Sequence, residues 1–253
     1  MPFEFVDATE VAQPDADPLQ DELALLELAA QGRQVAQLWE APLSLVVPRT
    51  YLRHAGLETA RAEFARQGCP VFLRMSGGGL VPQGPGILNL SLAYAVGRPP
   101  GALSDAVYLH LCEVIGKALQ SLGVDTHWQA VAGSFCDGRY NLAWGPPDAA
   151  RKIAGTAQYW RRAPAAMQAP DGQRHLVLAH AVLLVTADPV QINARANAFE
   201  AAIHSGRHYD AGKVISVREA RAAQGLAADD GAALMTQVSA ALRHSVTQTP
   251  PPA

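Results

Sequence analysis

Leu19, Leu23, Leu26 and Ala30 recur at three- and four-residue steps, which places them on one face of a helix running from Leu19 to Ala30. Asp17 is the expected N-cap, with Pro18 in the first turn, Gln20 three residues after the cap and Gly32 just past the end. A second helix is expected over Leu57 to Arg66, closed by Gly68, and it leads into the short apolar run Val71-Phe72-Leu73, bounded like a buried strand. After a glycine-rich stretch, Leu88, Leu90 and Leu92 alternate with Asn89 and Ser91, the pattern of a half-buried strand. The clearest helical stripe opens at Ser104: Val107, Leu111, Val114, Ile115, Ala118 and Leu122 follow, until Gly123 ends it. Short strands are expected at Gln129 to Ala132, Asn141 to Trp144, Lys152 to Gln158 and His175 to Val185, with a flexible connector from Ala163 to Gly172. Helices are expected again over Val190 to Ile203 and Ala232 to Arg243. The pattern implies one α/β domain over residues 1–246, a mixed sheet flanked by helices, followed by a disordered proline-rich tail over 247–253.

Length and composition narrow the function classes. The chain has 253 residues, 49% of them hydrophobic, enough to bury one sizeable core. Twenty basic residues against 23 acidic ones leave a net charge of −3 and no broad basic surface to attract nucleic acid. The run from Leu176 to Val185, broken by His180, is far shorter than the ~20 residues that cross a bilayer. No basic, apolar leader opens the sequence, and three cysteines cannot all pair with one another, so a reducing, cytoplasmic setting without a membrane partner is expected.

Three segments can carry chemistry. In Arg74-Met75-Ser76-Gly77-Gly78-Gly79, successive glycines let backbone N–H groups approach a ligand, although a tight turn between strands would read the same way. In Gly133-Ser134-Phe135-Cys136-Asp137-Gly138, Cys136 lies among polar and glycine residues, whereas Cys112 sits in an apolar helical stripe and Cys69 precedes a strand. A nucleophilic Cys136 would need a nearby cation to gain thiolate character; otherwise it is an inert loop thiol. Lys152, one of three lysines with Lys117 and Lys213, heads the small and apolar Ile153-Ala154-Gly155-Thr156-Ala157. On an interior strand its ammonium would be desolvated and ready to pair; at a strand end it would point to water. His180, between two alanines in an apolar strand, is expected to support the reacting groups from behind rather than to touch substrate. His204 and His208 lack helical context and a zinc-protease Glu, and read as exposed. There is no Cys-x-x-Cys pair and no P-loop, so no metal site is expected.

Taken in order, Arg74-x-Ser76-Gly77-Gly78-Gly79, Gly86-x-x-Asn89 and Lys152-Ile153-x-Gly155-x-Ala157-Gln158 resemble the catalytic domain of the lipoate- and biotin-protein ligase family. The resemblance runs from about Asp7 to Ala241, and Leu38-Trp39-Glu40-Ala41-Pro42 is similar to the opening of the lipoate branch. It implies the ligase catalytic fold, a glycine loop of Ser76 to Gly79 over an acyl group, and Lys152 beside the acyl carbonyl. Arg74, Val81, Asn89, Gly155, Thr156 and Ala157 would complete the acyl or adenylate site, with Leu88 and Leu90 walling the acyl tunnel. ATP-dependent ligases of the family usually carry Tyr-His-Asp where this chain has Pro82-Gln83-Gly84. Cys136 instead resembles the cysteine of the family's octanoyltransferases and amidotransferases. That branch implies transfer of an octanoyl or lipoyl group through a Cys136 thioester, without a cofactor. The acceptor would be the lysine of a lipoyl domain, in the glycine-cleavage H protein or a 2-oxoacid dehydrogenase, and acyl carrier protein is a candidate donor. A ligase using ATP and Mg²⁺ with free octanoate or lipoate, and a non-catalytic acyl- or lipoyl-domain-binding protein, are the alternatives.

Overall fold

The computed structural model describes residues 2–7, 18–168, 173–226 and 230–252. Seven strands form a large sheet: β1 (Glu4–Phe5), β2 (Val35–Trp39), β6 (Ile87–Val96), β10 (His175–Leu184), β9 (Arg151–Arg162), β8 (Leu142–Trp144) and β7 (His127–Trp128), in that spatial order. Only the β1/β2 pair is parallel. A smaller sheet has the order β4 (Val71–Arg74), β3 (Ser44–Pro48), β5 (Val81–Gln83), parallel between β3 and β4 and antiparallel between β3 and β5. The helices are α1 (Pro18–Ala29), α2 (Leu57–Arg66), α3 (Pro100–Gln120), α4 (Pro189–Ala202), α5 (Val217–Ala223) and α6 (Gly231–Gln248). This is the mixed α/β domain that the hydrophobic pattern implies.

Side chains alternate across the large sheet, and the alternation decides where chemistry can occur. Leu88, Leu90, Leu92, Val177, Ala179, Ala181 and Leu183 face one way, into a core filled by Val107, Leu111, Val114 and Ile115 of α3 and by Leu234, Val238 and Leu242 of α6. The opposite face is covered near α1 by Leu25, Leu26 and Ala29, and elsewhere by the small sheet with α2 and α4. Pairing registers then align the polar interruptions of successive strands. Ala157, His180, Ser91 and Gln37 form one row, and Gly155, Val182, Asn89 and Trp39 the next. Both rows look toward the small sheet.

Several boundaries differ from the sequence expectation. Strand β6 is covered on both faces, so Asn89 and Ser91 are buried, and Leu88 and Leu90 point into the α3 core, away from any acyl tunnel. Gln129 to Ala132 is not a strand; after Trp128 one more cross-strand bond forms, from Gln129 N–H to the Asn141 carbonyl at 3.0 Å, before the chain turns into the loop that carries Cys136. Helix α3 starts at Pro100, four residues before Ser104, since proline fits a first turn whose N–H groups need no intrahelical acceptor. Helix α6 continues to Gln248, and Thr249 is buried with its carbonyl facing His110 Nε2 at 3.1 Å, so packing reaches into the expected tail. Among the described side chains of α1 the buried ones are Glu22, Leu25, Leu26 and Ala29, whereas Leu23 and Ala30 of the expected stripe are half-buried and the side chain of Leu19 lies outside the described ones. The expected N-cap Asp17 and the connector's residues 169–172 lie outside the described residues. No described helix is long and apolar enough to cross a membrane.

Candidate active site

Strand β4 of the small sheet ends at Arg74, a buried guanidinium that would be costly without partners. Its Nη2 donates to the carbonyls of Gly77 and Gly79, both at 2.8 Å, and reaches Cys136 Sγ at 3.4 Å. The glycine loop is thus wrapped around Arg74. From the loop, Gly79 N–H donates to the same sulfur at 3.2 Å. Gly78 has φ +108°, and a Cβ there would lie 2.8 Å from Cys136 Sγ and 2.9 Å from Arg74 Nη2, so the close approach requires glycine.

Cys136 arrives from the other sheet's connections. It adopts φ +43°, an uncommon conformation for a residue with a Cβ. The turn is fixed by Asp137, whose Oδ1 accepts from Val131 N–H and Asn141 Nδ2, both at 2.8 Å, and by Lys152 beneath it. Lys152 is 1% exposed: the interior reading of this lysine is the one the structure adopts. Its Nζ donates to the carbonyls of Phe135 at 2.7 Å and Cys136 at 3.0 Å and lies 4.5 Å from the Phe135 ring centre. The ammonium therefore grips the backbone around the thiol and acts on the sulfur through its charge. Gly155 leaves it room, since a Cβ there would meet Nζ at 2.9 Å.

These contacts set the thiol's chemistry. Burial pushes Cys136 up, but the charges of Arg74 and Lys152, with the hydrogen bonds from Gly79 and Arg74, outweigh it and hold the thiol below its ordinary pKa. Burial pulls Lys152 down to about 8, against the opposing pull of Cys136 and Asp137. Burial alone pushes Cys112 up to about 12, and burial also raises Cys69. Cys136 is accordingly expected to react with iodoacetamide at pH 7, while Cys69 and Cys112 stay unmodified in the folded protein. Peptide mapping after brief alkylation checks this; equal labelling of the three thiols would refute the activation.

Arg74, Val81, Asn89, Cys136, Lys152, Gly155, Thr156, Ala157 and His180 all line one cleft, with about 480 Å³ of space free of protein atoms and partly open to solvent. Ser76 borders an adjoining hollow that shares Arg74 and His180. Thr156 spends its hydroxyl on the Tyr140 carbonyl at 2.7 Å. Asn89 and Gln83 exchange side-chain hydrogen bonds of 2.8 and 3.0 Å, so the Gln83 departure forms a buried amide pair with a family-like asparagine. His204 and His208 are exposed and outside any helix. Among the described residues no cluster of three or more His, Cys, Asp or Glu could hold a metal ion.

Sequence reasoning missed Glu22. It is 4% exposed, and its carboxylate meets His180 Nδ1 at 2.8 and 3.1 Å and accepts from Ser91 Oγ at 2.6 Å. Burial raises the Glu22 carboxyl, yet His180, Ser91 and Arg74 hold it below the usual carboxylate range. The signal was an acid three and four residues before Leu25 and Leu26, on the face that packs inward. Asp137 was equally unremarked, although it lies beside the cysteine.

The architecture is that of the lipoate ligase fold. Lipoate-protein ligase A bound with ATP matches with a TM-score of 0.60 at 17% identity, over 90% of this chain and 78% of that one. A Thermoplasma acidophilum protein with bound lipoic acid matches with a TM-score of 0.60 at 14% identity, over 98% and 86%. Residues 16–224 match the lipoyl protein ligase A/B catalytic domain, and the chain belongs to that family. It is 87% identical to an uncharacterized protein of Cupriavidus necator over 253 residues, the whole of both chains. It is 37% identical over 169 residues to an octanoyl-[GcvH]:protein N-octanoyltransferase of Kyrpidia tusciae, which covers 65% of this chain and 54% of that one. The chain thus aligns with about half the length of that transferase.

Proposed function

We propose that this protein is an acyltransferase that carries an octanoyl or lipoyl group as a thioester on Cys136 and passes it to the lysine of a lipoyl domain. The observation that carries the reading is the sulfur itself, held on a positive-φ turn between the Arg74 guanidinium and the Gly79 N–H above the buried Lys152. The similarity to the Kyrpidia tusciae octanoyltransferase supports the same chemistry. Both buried cations of the cleft donate to the chain's own carbonyls and thiol, an economy suited to holding a thiolate. The Cys136 thiolate attacks the acyl carbonyl carbon of the donor, the bond from that carbon to the donor's heteroatom breaks, and the heteroatom leaves by taking a proton from solvent. Backbone N–H groups near Gly77, Gly78 and Gly155 are the candidate oxyanion donors, each worth ~3 kcal/mol in the transition state. The acceptor amine then attacks the thioester and releases the Cys136 thiolate. The glycine-cleavage H protein, the lipoyl domains of 2-oxoacid dehydrogenases and acyl carrier protein are the partners to test.

The intact mass after mixing with octanoyl-acyl carrier protein, without ATP, is expected to rise by one octanoyl group that peptide mapping places on Cys136. No adduct, together with lipoate-dependent release of AMP from ATP, would overturn this reading and make the chain a ligase.

A further inference from the structure

One hydrogen-bonded row runs from the cleft, through His180, into the adjoining hollow that Ser76 borders, and has no part in thioester formation. Ser76 Oγ lies 3.1 Å from His180 Nε2, and His180 Nδ1 lies 2.8 Å from Glu22 Oε1. Glu22 is itself oriented by Ser91 Oγ, which donates to it at 2.6 Å while accepting from Trp39 Nε1 at 3.0 Å. The partners assign the protons. An ionised Glu22 can only accept, so Nδ1 carries a proton, and in the neutral imidazole Nε2 is then the nitrogen whose lone pair faces the Ser76 hydroxyl. This serine–histidine–carboxylate geometry is the one that moves a proton away from a reacting group. Its three members come from the glycine loop, β10 and α1, and are held in place from two further strands.

The location gives the row a task. His180 lines the same cleft as Cys136, and Ser76 lies three residues before Gly79, whose N–H touches the sulfur. Lys152 and Arg74 are cationic donors already spent on the thiol loop, and neither is placed to accept a proton while charged. An amine that displaces a thiolate must lose one. We propose that Ser76, His180 and Glu22 form a proton relay serving the primary amine of the acceptor as it attacks the acyl group on Cys136. The amine nitrogen forms its bond to the acyl carbon, and the carbon–sulfur bond breaks with its electron pair leaving on Cys136 Sγ. The ammonium-like nitrogen gives its proton to Ser76 Oγ as Ser76 gives its own to His180 Nε2. Glu22 balances the resulting imidazolium. This deepens the thioester reading and rests on it.

The test compares two acceptors on the acylated enzyme: a lysine-bearing lipoyl domain and hydroxylamine, whose tetrahedral adduct is acidic enough to lose its proton to water. General-base assistance is worth about 10²–10⁴ in rate. In His180→Gln the ratio of hydroxylamine to lysine turnover is therefore expected to rise about 100-fold over the unsubstituted enzyme. Glu22→Gln and Ser76→Ala should move the ratio the same way, and Ser76→Ala deletes only one oxygen should the others fold poorly. An unchanged ratio with both rates reduced would overturn the relay and leave the row as a loop support. An acyl adduct mapped to Ser76 would also overturn it, by making the serine a nucleophile. Failure of the underlying reading looks different: the unsubstituted enzyme would then carry no adduct on Cys136, and the relay would fall with it.

Discussion

Cys136→Ser is expected to lose the octanoyl adduct and at least about 10³-fold of acyl transfer while the protein stays folded. The substitution keeps size and shape, and the hydroxyl can still accept from Gly79 N–H and Arg74, so the glycine loop has no reason to move. The nucleophile is what disappears. Two neighbouring cations lower the thiol and favour its thiolate, but an alcohol starts from far too high a pKa for the same charges to ionise it. Any ester that did form would be a poorer acyl donor to an amine than a thioester. Intact mass and a thermal melt check both halves, and full transfer by the serine variant would refute covalent catalysis on this residue.

Lys152→Met is expected to cost stability and activity together. Methionine fills the volume, but it leaves the buried Phe135 and Cys136 carbonyls without their donor, and each such loss costs about 1–3 kcal/mol. The melting temperature should fall accordingly. With the ammonium gone, one of the charges that lowers the thiol is removed, so the Cys136 pKa rises and less thiolate is present at neutral pH. Acylation should slow about 100-fold at pH 7 and recover in part as the pH is raised, with the rising limb of the rate profile displaced to higher pH. In the unsubstituted enzyme the opposite limit applies: Lys152, pulled down to about 8, loses its own charge above that pH and with it part of its support for the thiolate. A variant whose pH profile does not move would show that the lysine serves the fold alone.

Much of this site could be read from residue order, because it depends on local features. Glycines that permit close approach, a cysteine outside any apolar stripe and a lysine heading a strand of small residues each announce themselves within a few positions. What could not be read depends on how distant strands are covered. Alternation around Leu88, Asn89 and Leu90 suggested a strand with one wet face, yet β6 is buried on both sides, and its polar face looks into a cleft. The same ambiguity misdirected Leu88 and Leu90, which supply core to α3. Glu22 was hidden by its neighbours: beside Asp21 and Glu27 in a leucine-rich helix it reads as solvent-facing, and its partners, Ser91 and His180, come from strands far along the chain. The start of α3 was misplaced because a proline, ordinarily a breaker, opens its first turn.

The reacting groups do not belong to one sheet. Arg74 and the glycine loop come from the small sheet, whereas Lys152 and His180 stand on the large one and Cys136 on a loop between two of its strands. The microenvironment of a single sulfur atom is therefore assembled across a seam. Were the small sheet to lift away, α3, α6 and the core between them would persist, but the thiol would lose the guanidinium and the Gly79 amide at once, keep only the charge of Lys152, and titrate higher than in the closed molecule. The alkylation rate of one atom is in that sense a gauge of quaternary-like docking within one chain, and it would register a partly opened molecule that circular dichroism reads as native.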